Sequence, residues 1–98
     1  MAGFPYAGGP WKPGITQVKA YTGTAGTIDN AISSGITVIR VWLSTAGYIA
    51  IGAAPTATTS DIPMPANTPE YFVVPPGSKV SAIQSASGGN LHVTEMTR

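Results

Sequence analysis

The chain contains no cysteine, so neither a disulfide framework nor a thiolate metal site can support it. Charge is scarce as well. Asp, Glu, Lys and Arg make up 9% of the 98 residues, far below the roughly 25% of an average soluble protein. The five bases (Lys12, Lys19, Arg40, Lys79 and Arg98) stand singly, and the net charge is +1. Nucleic-acid binding relies on clustered cations, so no nucleic-acid partner is expected. No run of about 18 apolar residues occurs, so no membrane-spanning helix is expected. The opening stretch, MAGFPYAGGPWKPG, has neither a charged start nor an apolar block and does not read as a secretory signal. Helix signals are nearly missing too. Gly or Pro interrupts almost every window, and only residues 26–34 (GTIDNAISS) have room for a helical turn.

What is present points to strands. The chain carries 12 Gly, 9 Pro, 12 Thr and 8 Ser, yet 43% of it is hydrophobic, too much for a disordered segment. Val, Ile, Thr and Tyr recur in short runs bounded by Gly, Pro and Asn. The pattern predicts strands over residues 15–22, 36–44, 48–52, 70–74, 79–84 and 90–96, with shorter ones near 27–32 and 61–64. Turns are expected at residues 45–47, at Pro75-Pro76-Gly77, and at residues 87–90, where a hairpin loop is expected. Pro63, Pro65 and Pro69 confine residues 61–70 to an edge strand or a loop. Seven or eight short strands at spacings near ten residues predict an all-β fold, a small jelly-roll-like β-sandwich of antiparallel strands. Residues 15–98 form this domain, and residues 1–14 form an extended N-terminal arm. The arm carries Phe4, Tyr6 and Trp11 among glycines and prolines. It cannot bury its rings alone, so they need a groove on this subunit or another.

Alternation divides the strongest strand into two faces. Ile39, Val41 and Leu43 point one way and fit the core, while Val38, Arg40 and Trp42 point the other. In the next strand Ile49 and Ile51 fit the core, leaving Tyr48 and Ala50 outside. Val38, Arg40, Trp42 and Tyr48 are candidates for an oligomer interface, where aromatics and Arg are enriched. The competing reading has Trp42 and Tyr48 packing beneath the arm or the long loop.

Chemistry-bearing motifs are few. His92 is the single histidine, and alternation turns it outward while Leu91 and Val93 face the core. A metal site needs several ligands, and Asp61, Glu70 and Glu95 fall on three separate segments. The Gly-Ser turns fit no nucleophile elbow, and no phosphate-cradling or dinucleotide-binding glycine motif occurs. No catalytic, cofactor-binding or metal-binding residue is therefore assigned, and an enzyme is not expected.

From Arg40 onward the chain reads RVWLSTAGYIAIGAAPTATTSDIPMPANTPEYFVVPPGSKVSAIQSASGGNLHVTEM. A strand ends in Ser-Thr, a tyrosine-bearing strand ends in Ile-Gly, and Pro-Thr-Ala-Thr leads to Met-Pro-Ala-Asn-Thr-Pro-Glu-Tyr-Phe. Pro-Gly then precedes a Lys-Val strand, and Gly-Gly-Asn-Leu-His-Val-Thr-Glu-Met follows. Over about residues 36–96 this resembles the small all-β virion structural proteins of tailed bacteriophages, several of which are capsid cement or decoration proteins. The arm lies outside the resemblance, and none of the shared motifs is a catalytic or ligand signature.

The resemblance implies a protein made in the host bacterial cytoplasm and placed on the virion, on the outer capsid surface. Its implied partners are the major capsid protein and copies of itself, as a dimer or trimer. On that reading Phe4, Tyr6 and Trp11 contact the capsid or a neighbour. Two alternatives stand beside it. One is a tail- or head-tail-associated structural protein. The other is a glycan-binding adhesin module, using Trp11, Trp42, Tyr48 or Tyr71 with polar groups from residues 56–61.

Overall fold

A computed structural model describes residues 11–97. Phe4 and Tyr6 lie outside the described residues, and Trp11 is the first of them. Eight strands form where branched and aromatic residues run between turn formers: β1 Lys12–Tyr21, β2 Gly26–Thr27, β3 Val38–Leu43, β4 Gly47–Gly52, β5 Ile62–Met64, β6 Glu70–Val73, β7 Lys79–Gln84 and β8 Gly89–Thr97. No helix occurs among the described residues. Residues 26–34 hold the two residues of β2 and a loop in place of the helical turn for which the sequence has room.

The strands make two four-stranded antiparallel sheets. Sheet A has the order β1-β8-β3-β6, and sheet B has the order β2-β7-β4-β5. β1 begins at Lys12, so residues 12–14, read from the sequence as part of an arm, are strand. A bulge between Pro13 and Thr16 absorbs the proline and glycine that interrupt a regular ladder there. Pro63 sits on β5, an edge strand of sheet B, as its missing N–H requires.

The turn at residues 87–90 does not close a hairpin. β7 lies in sheet B and β8 in sheet A, so this turn carries the chain across the core. The turns after β3 and β6 do the same, and of consecutive strands only β4 and β5 pair with each other. Turn residues specify a reversal of direction. Which sheet receives the returning strand is decided by long-range burial, which those residues do not encode.

Both sheets contribute to one core. Ile39, Val41 and Leu43 of β3 and Leu91 and Val93 of β8 meet Ile49 of β4 and Val80 and Ala82 of β7, with Tyr21, Ile28, Ile32, Met64 and Val74 around them. Ile39, Val41, Leu43, Ile49, Leu91 and Val93 are the ones that alternation in the sequence assigns inward. Ile51, also read as a core residue, is partly buried and packs against this cluster.

Two polar networks close the ends. At one end the Tyr21 hydroxyl donates to the Thr45 carbonyl and accepts from the Thr45 N–H at 3.2 Å. Thr45 Oγ1 donates to the Ser87 carbonyl at 2.9 Å, and the Asn90 N–H donates to Ser44 Oγ at 2.8 Å. Three chain segments therefore meet at Gly89. A methyl group added there would lie 2.5 Å from Thr45 Oγ1 and 2.6 Å from Ser44 Oγ. At the other end Ile32 N–H donates to the Ser78 carbonyl at 2.8 Å and Val74 N–H to the Thr37 carbonyl at 2.7 Å.

The open side of the two sheets is bridged from the inward positions of edge strand β1. Gln17 exchanges two hydrogen bonds with the backbone of Asn30, at 2.9 and 3.1 Å, and Lys19 pairs with Asp29 at 2.9 Å. The Lys19 ammonium, by hydrogen bond and by charge, holds the Asp29 carboxyl below its ordinary range. The pair's small contribution is present at neutral pH and fades as acid protonates Asp29 through that lowered value. Polar side chains pointing inward from an edge strand also discourage pairing with strangers.

Gly89 and Gly52 make a matched test of the crossing corner. A methyl group at Gly52 meets no heavy atom within 4 Å. Gly89→Ala is expected to cost about 1–3 kcal/mol through overpacking. Gly52→Ala is expected to be neutral or stabilising by up to about 1 kcal/mol. Urea unfolding midpoints of both variants measure the difference.

Candidate functional site

The two sheets treat their outer faces differently. On sheet B, Ser81 of β7 points away from the core, yet it is fully buried. The loop after β4 covers it. Ala57 N–H donates to Ser81 Oγ at 2.9 Å, and Thr27 Oγ1 lies 3.0 Å from Ser81 Oγ and 3.2 Å from the Pro55 carbonyl. Ala57 itself is buried. The same loop is fastened at its far end, where Thr58 N–H donates to the Asp61 carboxylate at 2.7 Å. The polar groups of residues 56–61 considered for glycan contact thus include several that bond within the loop or to sheet B.

Sheet A has no such cover among the described residues. Its outer face is arranged in rows that follow the registers. Pro13, Met96, Val38 and Val73 make one row across β1, β8, β3 and β6. Thr16, Thr94, Arg40 and Tyr71 make the next, and Val18, His92 and Trp42 the third. Val73 is 83% exposed, and Tyr71 and Val18 are each 56% exposed. Met96 is buried but does not belong to the core cluster, consistent with its place on the outer side. The polar members are few. Thr16 and Thr94 bond each other at 2.9 Å. The Trp42 and His92 rings meet edge to face, with centroids 4.8 Å apart and planes at 80°. Arg40 is half-buried between Tyr71 and Thr94 in the register, with no ion pair among the described residues.

The structure brings three of the four expected interface residues together. Val38, Arg40 and Trp42 are neighbours on β3 and face outward on sheet A, as alternation predicts. Tyr48 is separated from them. It faces outward on sheet B, opposite Ile83 and Pro63, because the chain crosses the core between β3 and β4. Neither it nor Trp42 is buried outright; both are half-buried. The sequence reading also passed over Val18, Val73 and Met96 as members of this face. Alternation within each run marks them as outward, but only the pairing of β1, β8 and β6 around β3 reveals that they are contiguous.

The titratable residues are dispersed. His92 lies on the outer face of sheet A, Asp61 in the β4–β5 loop and Glu70 at the start of β6. Glu95 points inward at the end of β8 and is 6% exposed. Its carboxylate accepts from both the Ser33 N–H and the Ser33 hydroxyl, each at 2.8 Å, so its role is to anchor the loop after β2. No known protein family, curated protein or solved structure matches the chain.

Ser81→Ala removes the acceptor that holds Ala57 and opens the cover of sheet B. The expected cost is about 1–3 kcal/mol, the range for stranding a buried donor. Limited proteolysis is expected to cut within residues 53–60 in this variant before the wild type is cut, and urea unfolding gives the stability loss.

Proposed function

We propose that the protein is a non-catalytic structural component of a tailed-phage virion, a capsid cement protein that joins the major capsid protein and copies of itself on the outer surface of the shell. The observation that carries this reading is the contrast between the two outer faces. Among the described residues, the loop after β4 covers the outward Ser81 of sheet B, whereas the outer face of sheet A, with Arg40 as its one charge, exposes Val18, Tyr71 and Val73. Such a face costs solubility in isolation and fits a partner surface. Binding surface is the whole requirement of a cement protein. Many weak contacts repeated over a lattice add through multivalency.

The fold supports the same reading. The orders β1-β8-β3-β6 and β2-β7-β4-β5, with the chain alternating between sheets, are those expected of a jelly-roll sandwich. Jelly rolls serve in viral capsids and in lectins. Fold alone does not fix the role, so the assignment rests on the face and on the resemblance of residues 36–96. Phe4, Tyr6 and Trp11 are assigned to the capsid or to a neighbouring subunit, and Val38, Arg40 and Trp42 to contact between copies. Tyr48, on the opposite side, is left out of that contact.

Co-sedimentation of the purified protein with phage particles that lack it tests the proposal. Saturable binding at a fixed ratio to the major capsid protein is expected, with Val38→Asp weakening it at least tenfold. Binding confined to tails would overturn the capsid assignment. Saturable glycan binding that is lost in Trp42→Ala would favour an adhesin in its place.

A further inference from the structure

Two open sheets have four edge strands, and three of these are guarded. β5 carries Pro63, and β2 has only two residues. β1 is broken by the bulge between Pro13 and Thr16 and is tied through Gln17 and Lys19 to Asn30 and Asp29. Proline, brevity, bulges and inward-pointing charges are the usual means of keeping an edge from pairing. β6 starts with Glu70 and continues as Tyr71, Phe72 and Val73, with neither proline nor lysine. The side of the sandwich that it closes is also the less sealed one. Phe72 is only partly buried, and Ile62 of β5, which faces inward opposite Ile49, is exposed.

The ladder shows which backbone groups this edge presents. Val74 N–H donates to the Thr37 carbonyl at 2.7 Å, and Ser44 N–H donates to the Asn90 carbonyl at 3.1 Å. Odd positions of β3 therefore bond towards β6 and even positions towards β8. Tyr71 pairs with Arg40 and Val73 with Val38, so both turn their N–H and C=O away from β3, because antiparallel ladders alternate. Each thus offers one donor and one acceptor along the edge. Neither makes a backbone bond outside its ladder among the described residues.

We infer that β6 pairs antiparallel with β6 of a second copy about a two-fold axis at Phe72, with Tyr71 of each copy opposite Val73 of the other. Self-complementarity selects a second copy as the occupant. Two donors and two acceptors from each copy make four hydrogen bonds in this register, and no presented group is left over. A shift of two residues either way sets Tyr71 opposite Pro75 or Val73 opposite Pro69, and proline returns no N–H. The side chains agree with the register. Tyr71 lies beside Val73 of the second copy, an aromatic and β-branched pair of the kind that stabilises sheets. Glu70 falls opposite Val74, so the two acids do not meet. The two Phe72 residues oppose each other on the inner side, with Cα atoms about 4.5 Å apart. Sheet A then continues through the pair as eight strands, four from each copy. So short a seam is smaller than the about 800 Å² per partner of a standard interface. Association is therefore weak in solution and stronger where a common surface holds copies side by side. The inference concerns an edge, and it rests neither on the contact assigned to Val38, Arg40 and Trp42 nor on capsid binding.

The full-length protein tests it. Val73→Pro removes an edge N–H that the folded subunit does not use, a change that edge strands tolerate. Sedimentation across a concentration series is expected to show self-association of the wild type that Val73→Pro weakens at least tenfold, with a urea midpoint confirming that the variant folds. Val73→Lys, which keeps the backbone, replaces it if the proline variant is unfolded. The chain has no cysteine, so cross-linking reads the register. Tyr71→Cys and Val73→Cys preparations, mixed and oxidised, are expected to give linked heterodimers at least tenfold above a mixture of Val73→Cys with Val18→Cys, which lies on the opposite edge strand. They are also expected to exceed Tyr71→Cys alone, whose two Cα atoms would be about 8 Å apart, beyond disulfide reach. A wild type that stays monomeric at every concentration would overturn the inference. So would a folded Val73→Pro that associates as the wild type does, or linkage no greater than in either comparison. These measurements use the protein alone, so their failure leaves capsid binding, read by co-sedimentation with particles, to stand or fall separately.

Discussion

A chain of this length builds one core, and one core can bury only one face of each sheet. The rest of the structure follows from that constraint. Ile39, Val41 and Leu43 use the inward positions of β3 and are fully buried against β8, β4 and β7. Val38, Arg40 and Trp42 are then committed to the outside, because successive side chains must alternate. With no disulfide and little charge, the protein has few other means of stabilising or shielding that second face. Sheet B meets the problem with the loop after β4, held by the buried hydroxyl of Ser81. Sheet A presents Tyr71, Val73 and Val18.

Crossing between sheets at nearly every turn has its own consequences. Each crossing brings two turns close together at one end of the core, which explains why the polar groups of Thr45, Ser44, Ser87 and Asn90 bond across segments rather than within one turn. It also explains the work given to the single buried acid. Glu95 sits where alternation would place another core residue, and its two bonds to Ser33 hold the loop that leads from sheet B back to sheet A. A long-range topology of this kind is expected to fold slowly compared with one rich in local pairs.

Much of the fold was legible in the sequence. The spacing of Val, Ile and Thr runs marked every strand, and alternation assigned the six side chains from Val38 to Leu43 to the correct faces. The prolines at 63, 65 and 69 marked an edge, which β5 occupies. The turns by themselves did not reveal the order of strands, because Gly-rich turns carry no information about which sheet receives the next strand. The hairpin expected at residues 87–90 failed for that reason, and so did the grouping of Tyr48 with Trp42. The contiguous face was visible only in part. Its β3 residues followed from periodicity, whereas Val18, Val73 and Met96 joined it through pairings separated by tens of residues.

The central claim is that the outer face of sheet A is a contact surface and that of sheet B is not. Hydroxyl-radical footprinting of the full-length protein across a concentration series tests it most directly, because each sheet carries its own reporter tyrosine. The account predicts that labelling of Tyr71 falls severalfold as the protein assembles, while labelling of Tyr48 stays constant. Constant labelling of Tyr71 in an assembled sample, or protection of Tyr48 in its place, would contradict it.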